Sequence, residues 1–161
     1  MNANPSSAPP SPAVALVDGR GALRLTPVAP ISHPSFALTH PYVELVYTSS
    51  LGTSAVAVAR SFGRLLALHR APISICPIAL ALELGMRSSN GGDLLGRRST
   101  LRGAIDRLEH ERLVRWIGDH QLAVHTAVPA VSDRVRDKLP PAARQAHDHF
   151  VNVIDLRDGR T

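Results

Sequence analysis

Ser99-Thr-Leu-Arg-Gly-Ala-Ile-Asp-Arg-Leu-Glu-His-Glu-Arg-Leu-Val-Arg-Trp116, running on into Ile117-Gly-Asp-His-Gln-Leu-Ala-Val124, is the stretch on which the fold turns. Leu101, Ala104, Ile105 and Leu108 recur at three- and four-residue spacing, which predicts a helix from about Ser99 to Glu111 with one buried stripe. Opposite that stripe lie Ser99, Arg102, Gly103, Asp106, Arg107 and His110. Directly afterwards Leu113–Ile117 and Gln121–His125 alternate in character around Gly118-Asp119-His120, the pattern of two strands joined by a tight turn.

Upstream, Ala55, Val58, Phe62, Leu65, Leu66 and His69 predict a helix over Thr53–His69, with Arg60 and Arg64 on its other side. Ala71-Pro72 ends it. Ser74 is a suitable N-cap for a shorter helix to about Leu82, whose inward face would be Ile75, Ile78, Ala79 and Leu82, with Pro77 in its first turn. That phase leaves Leu80 and Cys76 together on an apolar outer side, a surface for another segment or a second subunit. Met86–Gly96 is rich in Gly and Ser and reads as a loop.

The ends are less patterned. Residues 1–13 are a Pro/Ser/Ala-rich tail expected to be disordered. Within an N-terminal extension, 14–50, Val14–Val17 and Ala22–Leu25 flank a turn, although Pro27, Pro30 and Pro34 argue against a long hairpin, and whether this segment joins a sheet is open. His40–Tyr47 can start a helix with Pro41 in its first turn. A C-terminal extension, 129–161, offers a charged helical turn at Ser132–Lys138 and a last helix from Ala142 to about Val151.

Helix, short helix, loop, arginine-bearing helix and hairpin follow one another over residues 51–128. This layout resembles the winged helix-turn-helix superfamily, most closely where Leu108-x-x-x-x-Leu113-Val114 leads into the hairpin. Small actinobacterial and actinophage proteins of unassigned function are similar in layout; the long 86–96 loop departs from the usual short turn. The resemblance implies an α+β fold, mainly α with a small hairpin and with N- and C-terminal extensions. It also implies a cytoplasmic transcription regulator that binds double-stranded DNA as a homodimer, or else a winged helix that docks onto another protein.

The residues themselves support a DNA-reading face. A helix fits the major groove and presents its N-terminal residues to base edges. Arg97, Arg98 and Arg102 could reach guanine or phosphate, and Ser99 and Thr100 could donate to phosphate at the helix N-terminus. Gly103 weakens the helix, which a close approach of DNA would explain. Asp106 and Arg107 complete the face, though Arg102 and Asp106 at i, i+4 equally suit a solvated ion pair. Arg115 and His120 on the hairpin, with His125, would meet flanking phosphates. Trp116 keeps register with Val114 and either packs under the sheet or stays half exposed, the core role being the one expected.

Composition bounds the rest. The chain has 161 residues, 44% of them hydrophobic, and a formal net charge of +5, a balance that favours a polyanionic partner. Of 18 basic residues only Lys138 is a lysine; the guanidinium suits phosphate, but the arginines are spread along the chain as a GC-rich coding sequence would place them. The single Cys76 gives no disulfide framework or thiolate zinc site. His147 and His149 stand two apart, which does not place them on one helical face, and a solvated helix end is expected there. No nucleophile elbow, phosphate loop or His-Glu-x-x-His occurs, so no catalytic residue, cofactor, metal, small-molecule ligand or membrane span is expected.

Overall fold

A computed structural model describes residues 21–30, 34–69, 72–86, 94–96 and 99–158, with side chains to residue 154. It is an α+β fold. In chain order the elements are β1 (Leu23–Val28), β2 (Ser35–Ala37), α1 (Pro41–Leu51), α2 (Thr53–His69), β3 (Ile73–Ile75), α3 (Pro77–Glu83), α4 (Thr100–His110), β4 (Val114–Gly118), β5 (Gln121–His125), β6 (Ala127–Pro129), α5 (Asp133–Arg136) and α6 (Pro141–Asp158).

One sheet carries the hairpin. Its order is β3-β1-β5-β4, with β2 and β6 forming a separate pair. The Ala22–Leu25 segment therefore falls at and into the start of β1, inside the main sheet. β1 runs antiparallel to β3 (Leu23↔Ile75) and parallel to β5 (Leu25↔Leu122). The proposed partner Val14–Val17 lies outside the described residues. Pro27 fits within an inner strand for a local reason. The Arg24 N–H donates to His120 O at 2.8 Å, toward β5, so by alternation the N–H that Pro27 lacks would face β3. β3 pairs only as far as Leu25, so no ladder bond is lost at Pro27.

α1 starts as its sequence suggests, with Pro41 in the first turn and the His40 side chain accepting from the Tyr42 N–H at 3.1 Å. It ends at Gly52, whose φ of 79° lets the chain turn at once into α2. α2 buries Ala55, Val58, Phe62, Leu65 and Leu66 as expected; His69 is exposed at its end. Gly63 lets α2 approach the β2–α1 connection, because a Cβ there would lie 2.6 Å from Leu38 Cβ. α4 packs across α2, and α6 across α1. A single core joins them, running from Leu23 in β1 to Ala143 in α6.

The second short helix is out of phase with its expected form. Ile73–Ile75 is a strand, and Ile75 is buried opposite Leu23 rather than on a helix. The helix starts at Pro77 with Cys76 at its cap, no side chain of which makes a capping bond. This shift makes Pro77, Leu80 and Ala81 the inward set. Leu80 is fully buried, whereas Ile78 and Leu82 are 59% and 73% exposed. The outer apolar pair is thus Ile78 and Leu82, not Leu80 and Cys76.

The C-terminal helix is longer than expected, and His147 is not at a solvated end. It is 5% exposed, and the Tyr42 hydroxyl lies 2.8 Å from its Nδ1. That hydroxyl also accepts from the Val131 N–H at 2.9 Å. Burial holds the His147 imidazole below its usual pKa and pushes the Tyr42 phenol up to about 12. His149 is exposed, on another side of the helix. Among the described residues no helix is long and apolar enough to cross a membrane.

Candidate nucleic-acid interface

α4 is built from the residues that predicted it. Ser99 caps it, its oxygen accepting from the Arg102 N–H at 2.9 Å and its hydroxyl donating to Leu94 O. Leu101, Ala104, Ile105 and Leu108 are buried. At the other end the Arg112 N–H donates to Glu109 O and the Leu113 N–H to Leu108 O, both at 2.9 Å, with Arg112 at φ 59°. This is the Schellman closure, made here by an arginine where glycine is usual. The chain then enters β4 and turns through Asp119 and His120 into β5, with Gly118 opposite Gln121. His120, at φ 57°, takes the left-handed position of the turn.

The face opposite the buried stripe is open. Thr100, Gly103, Asp106, Arg107 and His110 are exposed, and a Cβ added at Gly103 would meet nothing within 4 Å. Arginines are held at both margins of this face. Arg102 lies with its Cζ 4.4 Å from the centroid of the Trp116 ring, and its Nε donates to Asp106 Oδ1 at 2.7 Å. Each contact is weak alone, roughly 0.5–1 kcal/mol for the cation–π contact and about 0.3–0.5 for the i, i+4 pair. Together they fix the guanidinium plane while its two terminal nitrogens keep no partner among the described residues. On the other margin the Arg107 Nη1 donates to Leu51 O at 3.4 Å, next to Gly52, placing a cation at the C-terminus of α1.

Between α4 and the hairpin lies a cleft of about 340 Å³ lined by Leu95, Arg102, Trp116, Gly118, Asp119 and His120. The structure thus brings together Arg102 and His120 from the expected set. Arg115 is not with them: it alternates with Trp116 and lies on the other side of the sheet, opposite Ala123. His125 is turned to the Ala29 carbonyl, its Nδ1–H donating at 2.7 Å. Ser99 spends its hydroxyl on the cap, whereas Thr100 is exposed in the first turn. Arg97 and Arg98 lie outside the described residues.

Two partners were not foreseen. Trp116 is half-buried and serves as the platform for Arg102, a role its in-register position with Val114 hints at. Glu109 turns its carboxylate to the Trp116 backbone N–H at 3.3 Å, tying the outer edge of β4 to α4. The Trp116 indole N–H is buried and finds no acceptor among the described residues. Comparison with known proteins adds no relative: no protein-family model, curated protein or solved structure matches this chain significantly.

Proposed function

We propose that this protein binds double-stranded DNA as a winged helix-turn-helix, with α4 in the major groove and the β4–β5 hairpin beside it, and that it acts as a transcription regulator. The observation that carries this reading is the bare outer face of α4, where Gly103 leaves room and Arg102 and Arg107 stand at the two margins. The order α2, β3, α3, α4, β4, β5 supports it, since the helix proposed to read DNA is followed at once by a two-stranded hairpin. Net charge of +5 gives the association a favourable sign. Base readout by a symmetric regulator requires two copies of α4 about one helical turn apart, and hence a homodimer.

Selection of duplexes from a random pool at two salt concentrations tests this directly. An enriched motif is expected, palindromic if the protein is a dimer, with affinity falling as salt rises by a log–log slope of roughly −0.9 per phosphate contacted. Arg102→Ala should cost about 1–3 kcal/mol on the preferred site and flatten the sequence preference. Equal binding of all duplexes by wild type and variant would end the reading.

A second reading, docking onto another protein, draws on Ile78 and Leu82, exposed one turn apart on α3. It requires that duplex DNA give no salt-sensitive binding and that Ile78→Ser with Leu82→Ser abolish a stable complex.

A further inference from the structure

The outer face of the sheet carries arginines that have nothing to do inside the chain. Arg60, Arg64, Arg102 and Arg136 each face a carboxylate. Arg24, Arg112 and Arg115 do not: among the described residues their guanidinium groups make no ion pair or hydrogen bond, and all three are exposed. Strand register puts two of them on one surface. Arg115 pairs with Ala123, Ala123 with Thr26, and Arg24 lies two residues along from Thr26 on the same side of β1. Two strand spacings across and two residues along set their Cα atoms roughly 12 Å apart.

Arg112 joins this face over a hollow of about 520 Å³, floored by Val28 and Ala123 and rimmed by Arg112, Arg115, His125 and Glu109. It does so from a left-handed backbone position that glycine would occupy with less strain. Glu109, the acid at this rim, is turned to the Trp116 N–H. The opposite side of the same strands, with Leu23, Leu25, Leu122 and Val124, is the buried one.

We propose that this outer face holds the sugar–phosphate backbone of a second DNA duplex, so that one molecule bridges two segments. This rests on the reading of α4 as the first duplex-binding element. A second duplex is required because the α4 cleft and this face lie on opposite sides of the sheet, and a rigid duplex does not fold around a sheet edge over that distance. A duplex rather than a single strand suits the surface: apart from His125 it offers no ring on which unpaired bases could stack, and its cations stand around a floor of small aliphatic side chains. The contact would be blind to sequence, as phosphate contacts are.

The test uses the full chain bound to an immobilised duplex, washed, then offered a second, fluorescent duplex. Wild type should retain the second duplex, with retention falling as salt rises. Arg24→Gln with Arg115→Gln should lower retention about tenfold, through lost phosphate contacts, while the first duplex is bound within roughly threefold of wild type. Arg112→Gly should also lower retention yet raise the melting temperature, so its loss cannot be put down to unfolding. Binding of the first duplex without capture of the second overturns the proposal. So does capture that survives Arg24→Gln with Arg115→Gln, as a dimer presenting two α4 helices would give. Retention of a fluorescent poly-glutamate peptide in place of duplex overturns it in favour of an acidic protein partner. Failure of the α4 reading looks different: Gly103→Leu would leave the first duplex bound, while Arg24→Gln with Arg115→Gln would remove it.

Discussion

Alanine at Gly103 should make the protein more stable and a poorer DNA binder, and the two effects have separate causes. Gly103 lies in the second turn of α4, exposed, with empty space where a Cβ would stand. The substitution therefore meets no steric cost inside the chain. It removes the conformational freedom of glycine in the unfolded state, a gain of about 0.5–1 kcal/mol in an exposed helix. For a chain of this size that corresponds to a rise of roughly 1–4 °C in melting temperature. Gly63→Ala is the control, because the same change there sets a Cβ 2.6 Å from Leu38 Cβ. Overpacking of that kind costs about 1–3 kcal/mol, more than the helix gain, so Gly63→Ala should destabilise. Both variants are read by thermal and urea denaturation alongside titration with a selected duplex. Gly103→Ala should weaken duplex binding and Gly103→Leu abolish it, while both retain the stability gain. A stabilised Gly103→Leu that binds as wild type would refute the close approach of DNA to this face; absence of any stabilisation would refute its openness.

Three further outcomes follow from particular contacts. The phase of α3 predicts that Leu80→Ala costs about 2–5 kcal/mol, whereas Ile78→Ser and Leu82→Ser stay within about 0.5 kcal/mol, as urea midpoints will show. Burial holds the pKa of His147 and of His40 below 6.5 in the folded protein, so the unfolded chain takes up more protons as the medium is acidified. Their contribution is full above pH 6.5 and is lost as pH falls toward the folded pKa values; His147→Gln should flatten that dependence, and an unchanged slope in urea midpoints would count against the burial of His147. Arg102→Ala uncovers Trp116, the only tryptophan, and its emission should move to longer wavelength; no shift would mean the Arg102 stack is absent in solution.

What could be read from the residues, and what could not, divides by the range of the interaction. α2, α4 and the β4–β5 hairpin are governed by contacts three and four residues apart or by one tight turn, and their positions follow from Leu101, Ile105 and Leu108 or from Val114 and Leu122. α3 misled because seven residues hold too little periodicity to set a phase. Ile75 supplied an apolar residue that belongs to a neighbouring strand, and the deciding contact, Leu23↔Ile75, spans more than fifty residues. His147 misled for a similar reason. Nothing within α6 distinguishes a buried histidine from a surface one; Tyr42 does, from the other end of the chain. At the site, Arg102 and Asp106 were legible as a pair, while the Trp116 platform depends on how the hairpin leans on the helix.

The position of β1 ties the N-terminal segment to the proposed interface. β1 separates β3 from β5, and its Arg24 N–H bonds to His120 O at the hairpin turn. The hairpin tip, and with it the cleft wall formed by Gly118, Asp119 and His120, is therefore held by a strand that begins about seventy-five residues before α4. Residues 51–128 alone would lack Leu23 and Leu25, both fully buried, and would leave β3 and β5 with unpaired edges. α2 to α4 and the β4–β5 hairpin thus share their core with the segments that flank them. The angle between α4 and the hairpin, which sets whether both can meet one duplex, is a property of the whole core from β1 to α6.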